Sequence, residues 1–278
     1  MNIGIVGLGL IGGSLAIDLH AQGYTVLGVS RRQETCQQAV IRGIVADAST
    51  DLKLMSAADV VFLCMPLGAI AATTAQLLPL LTPSTILTDV GSVKTAVVEI
   101  IAPQWPNFIG GHPMAGTAES GLDAALANLF VDRPYVLTPI DSTPPAAIET
   151  VTAIIASLQC RIYQCHPEEH DRAVAWISHL PVMISASLIA ACMGEANSEV
   201  LKLAQQLASS GFRDTSRVGG GNPELGTMMA KYNKQALLRS LSGYRQQLDQ
   251  IIQQIEQDDW QAVEQQLQQT QQARPLFL

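Results

Sequence analysis

The 278-residue sequence predicts an α/β domain followed by an all-α domain, and three observations support this fold class. The first is GLGLIG, residues 7–12, a GxGxxG turn between a short apolar segment and a helical pattern. The second is an alternation of short apolar runs with helical stretches, which is typical of a parallel sheet covered on both faces. The third is the near absence of strand-like runs after residue 166. Together they predict a Rossmann-type dinucleotide-binding domain at residues 1–166 and a helical domain at 167–278.

Strands are predicted in the first half where a short apolar run ends in glycine, proline or polar residues. The runs are residues 2–6, 24–30, 58–66, 85–92, 107–111, 134–139 and 160–165. Helices are expected directly after the GxGxxG turn, around residues 34–42 and at about 67–81, with a short segment of undefined type near Ile44. The sequence GGHPMAG, residues 110–116, is too short and too irregular to predict a helix or a strand.

Helical periodicity dominates the second half and is interrupted at Pro181, Gly194, Gly211 and residues 219–223. The glutamines of the last forty residues alternate with an intact apolar period, so we interpret them as a solvated helix face. The apolar residues of that period are Leu238, Leu241, Leu248, Ile251, Ile252, Ile255, Trp260, Val263 and Leu267.

Composition narrows the classes of partner. The net charge of −8 and the pI near 5.0 argue against nucleic acid and anionic membranes, which bind basic surfaces. The five cysteines contain no CxxC pair, so we expect reduced thiols, no disulfide framework and no metal site. The longest predicted apolar helix, residues 181–193, is too short to span a bilayer, and no basic leader precedes the first strand. We therefore expect a soluble, cytoplasmic protein.

The glycine turn predicts a dinucleotide site. Gly7 would permit the tight turn, Gly9 the approach of a pyrophosphate, and Gly12 the close packing of helix on strand. The helix N-terminus would face the negative charge, so Leu10 and Ile11 of the first turn also become candidate cofactor contacts. The alternative is a glycine turn without a ligand.

The end of the second strand indicates which dinucleotide is bound. NAD-binding domains usually carry Asp or Glu there, but this sequence has Ser30 followed by Arg31 and Arg32. A hydroxyl and two guanidinium groups would hold a 2′-phosphate that a carboxylate would repel. These residues favour NADP, although two solvated arginines in a loop remain an alternative. Pro66 and Leu67, after the third strand, are further candidate cofactor contacts.

His112 is the candidate catalytic base. The loops after successive strands of such a sheet converge on one crevice beside the cofactor, and His112 follows a predicted strand there. A histidine next to a nicotinamide can accept the proton of a hydroxyl that is being oxidised. The alternative is a histidine that is merely hydrogen-bonded to a loop carbonyl.

Four motifs together resemble the prephenate/arogenate dehydrogenase family of tyrosine biosynthesis. They are GLGLIGGSLA, DVGSVK at residues 89–94, GGHPMAGTAESG at 110–121 and HDRAVAWISHLP at 170–181. They occur in the family's order and cover nearly the whole chain. The resemblance implies a Rossmann domain, a helical domain that dimerises, and an active site in the cleft between them.

The resemblance also implies a reaction and roles for residues. Hydride would leave C4 of a cyclohexadienol while the hydroxyl proton is taken up, and loss of CO2 would make the ring aromatic. His112 would be the base, and Ser92 would orient its imidazole or bond the C4 hydroxyl. The family's substrate-binding arginine corresponds to Arg217, with Arg213 as the second candidate or an interdomain charge, and His179 is similar to a histidine near the substrate.

Other functions remain open from the sequence. GTMMAKYN, residues 226–233, is similar to the glycine–lysine–asparagine helix of β-hydroxyacid dehydrogenases, in which Lys231 would be the base. A nucleotide-sensing regulatory protein with a decayed site is a second alternative, disfavoured by the joint presence of His112, Ser92 and Arg217. Arogenate is preferred over prephenate only because NADP use tends to accompany arogenate in the family. With no further module expected before or after these domains, any feedback inhibition by tyrosine would act at the active site.

Overall fold

A computed structural model describes residues 1–117 and 119–277, so Ala118, in the GGHPMAGTAESG motif, and Leu278 lie outside the described residues. The described chain forms one eight-stranded sheet in the order β3-β2-β1-β4-β5-β6-β7-β8, followed by helices. The strands are β1 Asn2–Val6, β2 Thr25–Val29, β3 Asp47–Ser49, β4 Val60–Leu63, β5 Ile86–Asp89, β6 Phe108–Pro113, β7 Pro134–Thr138 and β8 Arg161–Gln164. The α-helices are α1 Leu10–Ala21, α2 Gln33–Ile41, α3 Leu67–Leu77, α4 Thr95–Ile101, α5 Pro145–Ser157, α6 Pro167–Val174, α7 Leu180–Met193, α8 Ser198–Leu207, α9 Ser210–Ser216, α10 Pro223–Tyr232, α11 Lys234–Glu256 and α12 Trp260–Ala273.

The sheet changes direction of winding between β1 and β4, as the sequence pattern predicts for a Rossmann domain. The six strands β1 to β6 are mutually parallel, whereas β7 runs antiparallel to β6. The prediction of a parallel sheet is therefore wrong at β7. An antiparallel neighbour needs no crossover helix, and the described part of the β6–β7 connection holds only the 3₁₀ segment Leu122–Ala124. The undefined segment near Ile44 leads into the short edge strand β3.

Strand β6 overturns the prediction for GGHPMAG. Residues Gly110–Pro113 are strand and pair with β7, although β6 pairs with β5 only through Phe108 and Ile109. The last four residues of β6 thus extend beyond the carboxyl end of β5. His112 consequently lies on a rigid strand rather than in a loop.

The first long helix of the second half is also longer than predicted. Helix α6, the π-helical turn Ala175–His179 and helix α7 form one continuous run of 27 residues, Pro167–Met193. Pro181 lies directly after the π-helical turn, where the shifted hydrogen-bond register accommodates a residue that has no N–H to donate, so the run is not broken. An 18-residue window of this helix has a mean hydropathy of 1.7, so by length and composition the helix could cross a membrane, a test that core helices of soluble proteins also pass. The expectation of a helix too short to span is therefore wrong.

The remaining helix ends follow the sequence more closely. Gly194 caps α7, and the 3₁₀ segment Arg217–Gly220 separates α9 from α10, as the glycine-rich break predicts. Gly211 does not end a helix but lies inside α9. The two principal apolar clusters pack on the two faces of the sheet, and both consist almost wholly of side chains from the first half.

Candidate active site

The three glycines of the first turn occupy the positions that a dinucleotide site requires. Gly7 has φ +110°, and a Cβ there would lie 2.4 Å from the carbonyl oxygen of Cys64. A Cβ on Gly12 would lie 2.0 Å from the carbonyl oxygen of Gly7, so helix α1 packs tightly on β1. Gly9, which caps α1, has open space where its Cβ would be. The free amides of the first turn of α1, including those of Leu10 and Ile11, therefore adjoin open space suited to a pyrophosphate.

The residues after β2 and β4 flank this turn. Ser30 directly follows β2, and its Oγ accepts a hydrogen bond of 3.5 Å from the backbone N–H of Arg32. Arg31 and Arg32 are both exposed. Pro66 caps α3, while the side chain of Leu67 is buried in the core beneath the sheet edge. A hydroxyl and two solvent-facing guanidinium groups thus stand at the ribose end of the predicted site.

Two buried side chains fix the extension of β6. The Oδ1 of Asp89 accepts a hydrogen bond of 3.1 Å from the amide of Gly111, and Lys94 Nζ donates to the carbonyl oxygen of Gly111 at 2.6 Å. Lys94 Nζ also binds Asp89 Oδ2, and the side chains of both residues are fully buried. Beyond the end of β5, the side chains of Asp89 and Lys94 therefore make the hydrogen bonds to Gly111 that the backbone of a neighbouring strand would otherwise make. Gly111 is required because a Cβ would lie 2.7 Å from the carbonyl oxygen of Asp89.

His112 belongs to a chain of hydrogen bonds that crosses from the sheet to the helices. Its Nδ1 lies 2.8 Å from Nε2 of His170, and Nδ1 of His170 lies 2.8 Å from Oδ1 of Asp171. An ionised carboxylate only accepts, so Nδ1 of His170 donates to it. Neutral His170 then accepts at Nε2, and His112 must donate from Nδ1. The Nε2 of neutral His112 is left unprotonated, which is the form a general base needs.

Asp171 also accepts hydrogen bonds from the sheet half of the chain. The backbone N–H groups of Lys94 and Thr95, at the start of α4, donate to its two oxygens at 2.7 and 2.9 Å. Burial raises the pKa of Asp171, but hydrogen bonds from His170, Lys94 and Thr95 outweigh it, so the pKa lies below its ordinary value. Asp171 is therefore ionised at neutral pH and ties α6 to α4.

His112 and His179 are neutral in the resting site. His112 is only 8% exposed, and burial lowers its pKa well below the ordinary value. Repulsion from His170, Lys94 and His179 lowers this pKa further. Burial is also the main cause that lowers the pKa of His179 to about 4. An imidazole kept neutral at physiological pH retains the lone pair with which it accepts a proton.

Asn233 links His179 to the same network. Its Nδ2 donates to the carbonyl oxygen of Asp171 at 2.8 Å and lies 3.1 Å from Nδ1 of His179. His179 accepts at Nδ1 and therefore carries its proton on Nε2. That nitrogen is buried and has no hydrogen-bond partner among the described residues. This buried N–H group can therefore donate a hydrogen bond to a polar atom of a ligand.

The structure does not bring all the predicted residues into this network. Ser92 Oγ is buried without a described partner, and His170, not Ser92, holds the imidazole of His112. Arg217 is exposed at the start of the 3₁₀ segment, and Arg213 pairs at 3.2 Å with Asp214, with both side chains largely exposed. The ammonium of Lys231, the alternative base, is exposed and lies 5.5 Å from the ring centroid of Tyr232.

Sequence reasoning assigned no role to four members of the network: Lys94, His170, Asp171 and Asn233. Lys94 lies in DVGSVK, and His170 and Asp171 open HDRAVAWISHLP, yet no role was predicted for any of them. The signal for His170 and Asp171 is their position at the start of HDRAVAWISHLP, because the flanking Glu168, Glu169 and Arg172 leave no apolar pattern to single them out. Asn233 shares the alternative motif GTMMAKYN with Lys231, and here the buried member is the asparagine.

The glycine turn at a helix N-terminus and a neutral histidine at the carboxyl edge of the sheet define a class of protein. That class is a two-domain oxidoreductase that uses a pyridine nucleotide, and comparison with known proteins narrows it. Residues 15–164 match the family described as "Prephenate dehydrogenase, nucleotide-binding domain", and residues 166–269 match "Prephenate dehydrogenase, dimerization domain".

Individual relatives agree with the family matches. Prephenate dehydrogenase of Bacillus subtilis (strain 168) is 31% identical over 92% of this chain and 70% of its own length. The crystal structure of Synechocystis arogenate dehydrogenase is 55% identical, with a TM-score of 0.92 and full coverage of both chains. Prephenate dehydrogenase from A. aeolicus, in complex with hydroxyphenyl propionate and NAD+, is 26% identical with a TM-score of 0.94, covering 100% of this chain and 98% of that one. The chain belongs to the prephenate/arogenate dehydrogenase family.

Proposed function

We propose that the chain oxidises arogenate with NADP, releasing CO2 and tyrosine. The observation that carries the proposal is the unprotonated Nε2 of His112, held by His170 and Asp171 at the sheet edge that also carries the glycine turn. The 55% identity to Synechocystis arogenate dehydrogenase supports arogenate as the substrate. The relatives called prephenate dehydrogenases support prephenate as the alternative substrate.

The chain's own residues would move one proton. Bound NADP supplies the acceptor for the hydride that leaves C4 together with its electron pair. The C4 hydroxyl gives its proton to Nε2 of His112 as the C–O bond gains double-bond character. The bond to the carboxyl group then breaks, its electron pair completes the aromatic ring, and CO2 leaves. The phenolate oxygen takes the proton back from His112, so the balanced reaction releases no net proton.

Four polar residues would orient the substrate. Nε2–H of His179 and Oγ of Ser92 are buried polar groups without a described partner, which supports hydrogen bonds from them to the substrate. Arg217 would hold a carboxylate, because its guanidinium can bind the two oxygens at once, and Arg213 is the second candidate. We expect Arg217→Ala to raise the substrate KM strongly while the KM for the cofactor is unchanged. An unchanged substrate KM would transfer the role to Arg213.

NADP is proposed on the residues that follow β2. Ser30 stands where a carboxylate would repel a 2′-phosphate, and the exposed Arg31 and Arg32 provide positive charge beside it. The double substitution Ser30→Asp with Arg31→Ala should shift the ratio of kcat/KM values from NADP toward NAD. Arg42→Ala is the control, because Arg42 pairs with Asp123 away from this loop. An unchanged ratio in the double variant would contradict NADP specificity.

The experiment that tests the function measures reduced cofactor at 340 nm with arogenate and with prephenate, each with NADP and with NAD. We expect turnover of arogenate with NADP. Turnover of prephenate instead would select the alternative substrate and leave the role of His112 unchanged. His112→Asn should lower kcat by about 10²–10⁴-fold with little change in KM. If neither compound is oxidised, the proposed function is wrong.

We also propose that the chain is a cytoplasmic homodimer built through its helical half. A groove of about 700 Å³ between α7 and α11 is lined mainly by apolar side chains, including Ile184, Leu188, Leu241 and Leu248. Residues 166–269 match a family described as a dimerization domain, which supports a second copy as the occupant of this groove. Sedimentation equilibrium at micromolar concentration should give twice the mass of 29.7 kDa.

A further inference from the structure

His170 and Asp171 adjoin the proposed base but have no part in the proposed reaction as written above. His170 is 2% exposed and Asp171 5%, so neither reaches solvent freely. Both ring nitrogens of His170 are engaged, one with His112 and one with Asp171, each at 2.8 Å. A buried imidazole that bridges a second imidazole and a carboxylate at these distances can exchange protons along the line.

The charges around His112 and His170 differ, and the difference favours transfer of a proton from His112 to His170. Burial disfavours a positive charge on His112, and so does the ammonium of Lys94 at the start of α4. His170 instead contacts the carboxylate of Asp171 directly. The carboxylate of Asp89 lies under β6 but is bound to Lys94 and the amides of Gly91 and Gly111. Among the described residues, the carboxylate that can support an imidazolium in this site, that of Asp171, therefore adjoins His170 and not His112.

We propose that His170, supported by Asp171, is the positioning residue that fixes the tautomer of His112 and stores the proton during turnover. The inference rests on the proposed function, since it concerns the proton of the C4 hydroxyl. When Nε2 of His112 accepts that proton, the hydrogen on its Nδ1 passes to Nε2 of His170. His170 becomes an imidazolium paired with ionised Asp171, and His112 remains neutral with its hydrogen now on Nε2. The return of the proton to the phenolate reverses both transfers.

The site thereby avoids a charge where the protein disfavours it. Without His170, the proton would make an imidazolium on a buried ring next to Lys94 and His179. With His170, the positive charge lies against a carboxylate that two backbone amides of α4 already hold in place. A helical residue thus completes the acid–base function of a residue on the sheet.

The test reads the ring nitrogens directly and needs no substrate. The five histidines of the chain can be labelled with ¹⁵N and assigned by single substitutions. At neutral pH we expect His112 to be protonated on Nδ1 alone. On acidification, the first proton added to the pair should make His170 doubly protonated and move the hydrogen of His112 to Nε2. A resting His112 protonated on Nε2, or a His112 that becomes doubly protonated first, would overturn the proposal.

His170→Gln separates storage of the proton from orientation of the ring. The amide oxygen of glutamine can accept from Nδ1–H of His112 but cannot carry the charge. We expect kcat to fall at least 10-fold with KM within twofold of wild type, and the acidic limb of the pH profile to move to lower pH. His20→Gln, on the exposed end of α1, is the matched control and should change nothing.

The outcomes distinguish this inference from the proposed function. Wild-type turnover with an unchanged kcat and pH profile in His170→Gln would refute the relay and leave the proposed function intact. Wild-type protein that oxidises neither cyclohexadienol would refute the proposed function, and the nitrogen signals would still decide the proton positions. If His170→Gln fails to fold, the wild-type titration alone decides the proposal.

Discussion

The sheet half and the helical half of the molecule treat their apolar side chains differently. In the sheet half, both faces of the sheet are covered and residues such as Ile5, Phe62 and Leu137 are completely buried. In the helical half, most of the described large apolar residues are exposed, including Leu207 at 70% and Leu267 at 62%. The first half completes its own core, whereas the second half leaves many large apolar side chains exposed.

This difference describes how the proposed active site is divided between the two halves. The stable sheet supplies the fixed elements, which are the glycine turn and the extended β6 with His112. The helices supply His170, Asp171 and His179, which tune His112 from a region whose packing is less complete. We therefore expect substitutions in the two halves to differ in whether their effects depend on protein concentration.

Lys94→Met should produce the largest loss of stability, and the loss should not depend on concentration. Lys94 is fully buried with Asp89, and removal of one partner of a buried ion pair costs about 3–5 kcal/mol in the free energy of unfolding. Urea unfolding at several protein concentrations measures it. Lys53→Met, at an exposed position in the same half, is the control. A loss below about 1 kcal/mol would show that the pair does not stabilise the fold.

Leu248→Asp tests the helical half and should act through association. Leu248 lines the groove between α7 and α11, and a carboxylate there must be desolvated when a second copy covers it. We expect the dimer dissociation constant to rise about 100-fold, equivalent to about 2.7 kcal/mol. Ile41→Asp, at a 75% exposed position of the sheet half, should leave the mass unchanged. Identical sedimentation of both variants and wild type would show that the groove is not the interface.

A gradual effect of pH on stability should appear at the junction of the two halves. The lowered pKa values of His112 and His179 mean that the unfolded chain binds protons before the native state does. Stability is then fully present above about pH 6.5 and falls as the pH decreases, by about 1.4 kcal/mol per pH unit for each such histidine. For His179 the loss is complete at about pH 4. His179→Gln should flatten the dependence between pH 6.5 and 5, and His20→Gln should not; a flat wild-type profile would contradict the buried neutral histidines.

Local chemistry made much of this molecule predictable from the sequence. Glycine spacing located the turn at Gly7, and apolar periodicity located most strands and the long C-terminal helices, because both signals arise within a few residues. The extension of β6 was not predictable, since its hydrogen bonds come from the side chains of Asp89 and Lys94 instead of a neighbouring backbone. The pairing of His112 with His170 spans 58 positions along the chain, and no local pattern carries such a contact.

The length of the helix from Pro167 to Met193 determines how two parts of the molecule are placed relative to each other. It places His170 near its start, His179 at the end of the π-helical turn Ala175–His179, and Leu188 of the groove farther along. Deletion of one residue from that turn would rotate every following position by about 100° relative to His170. His179 would then leave Asn233, and the groove would no longer face α11. An insertion or deletion here would therefore move the histidines of the proposed site and the residues of the groove out of register with each other.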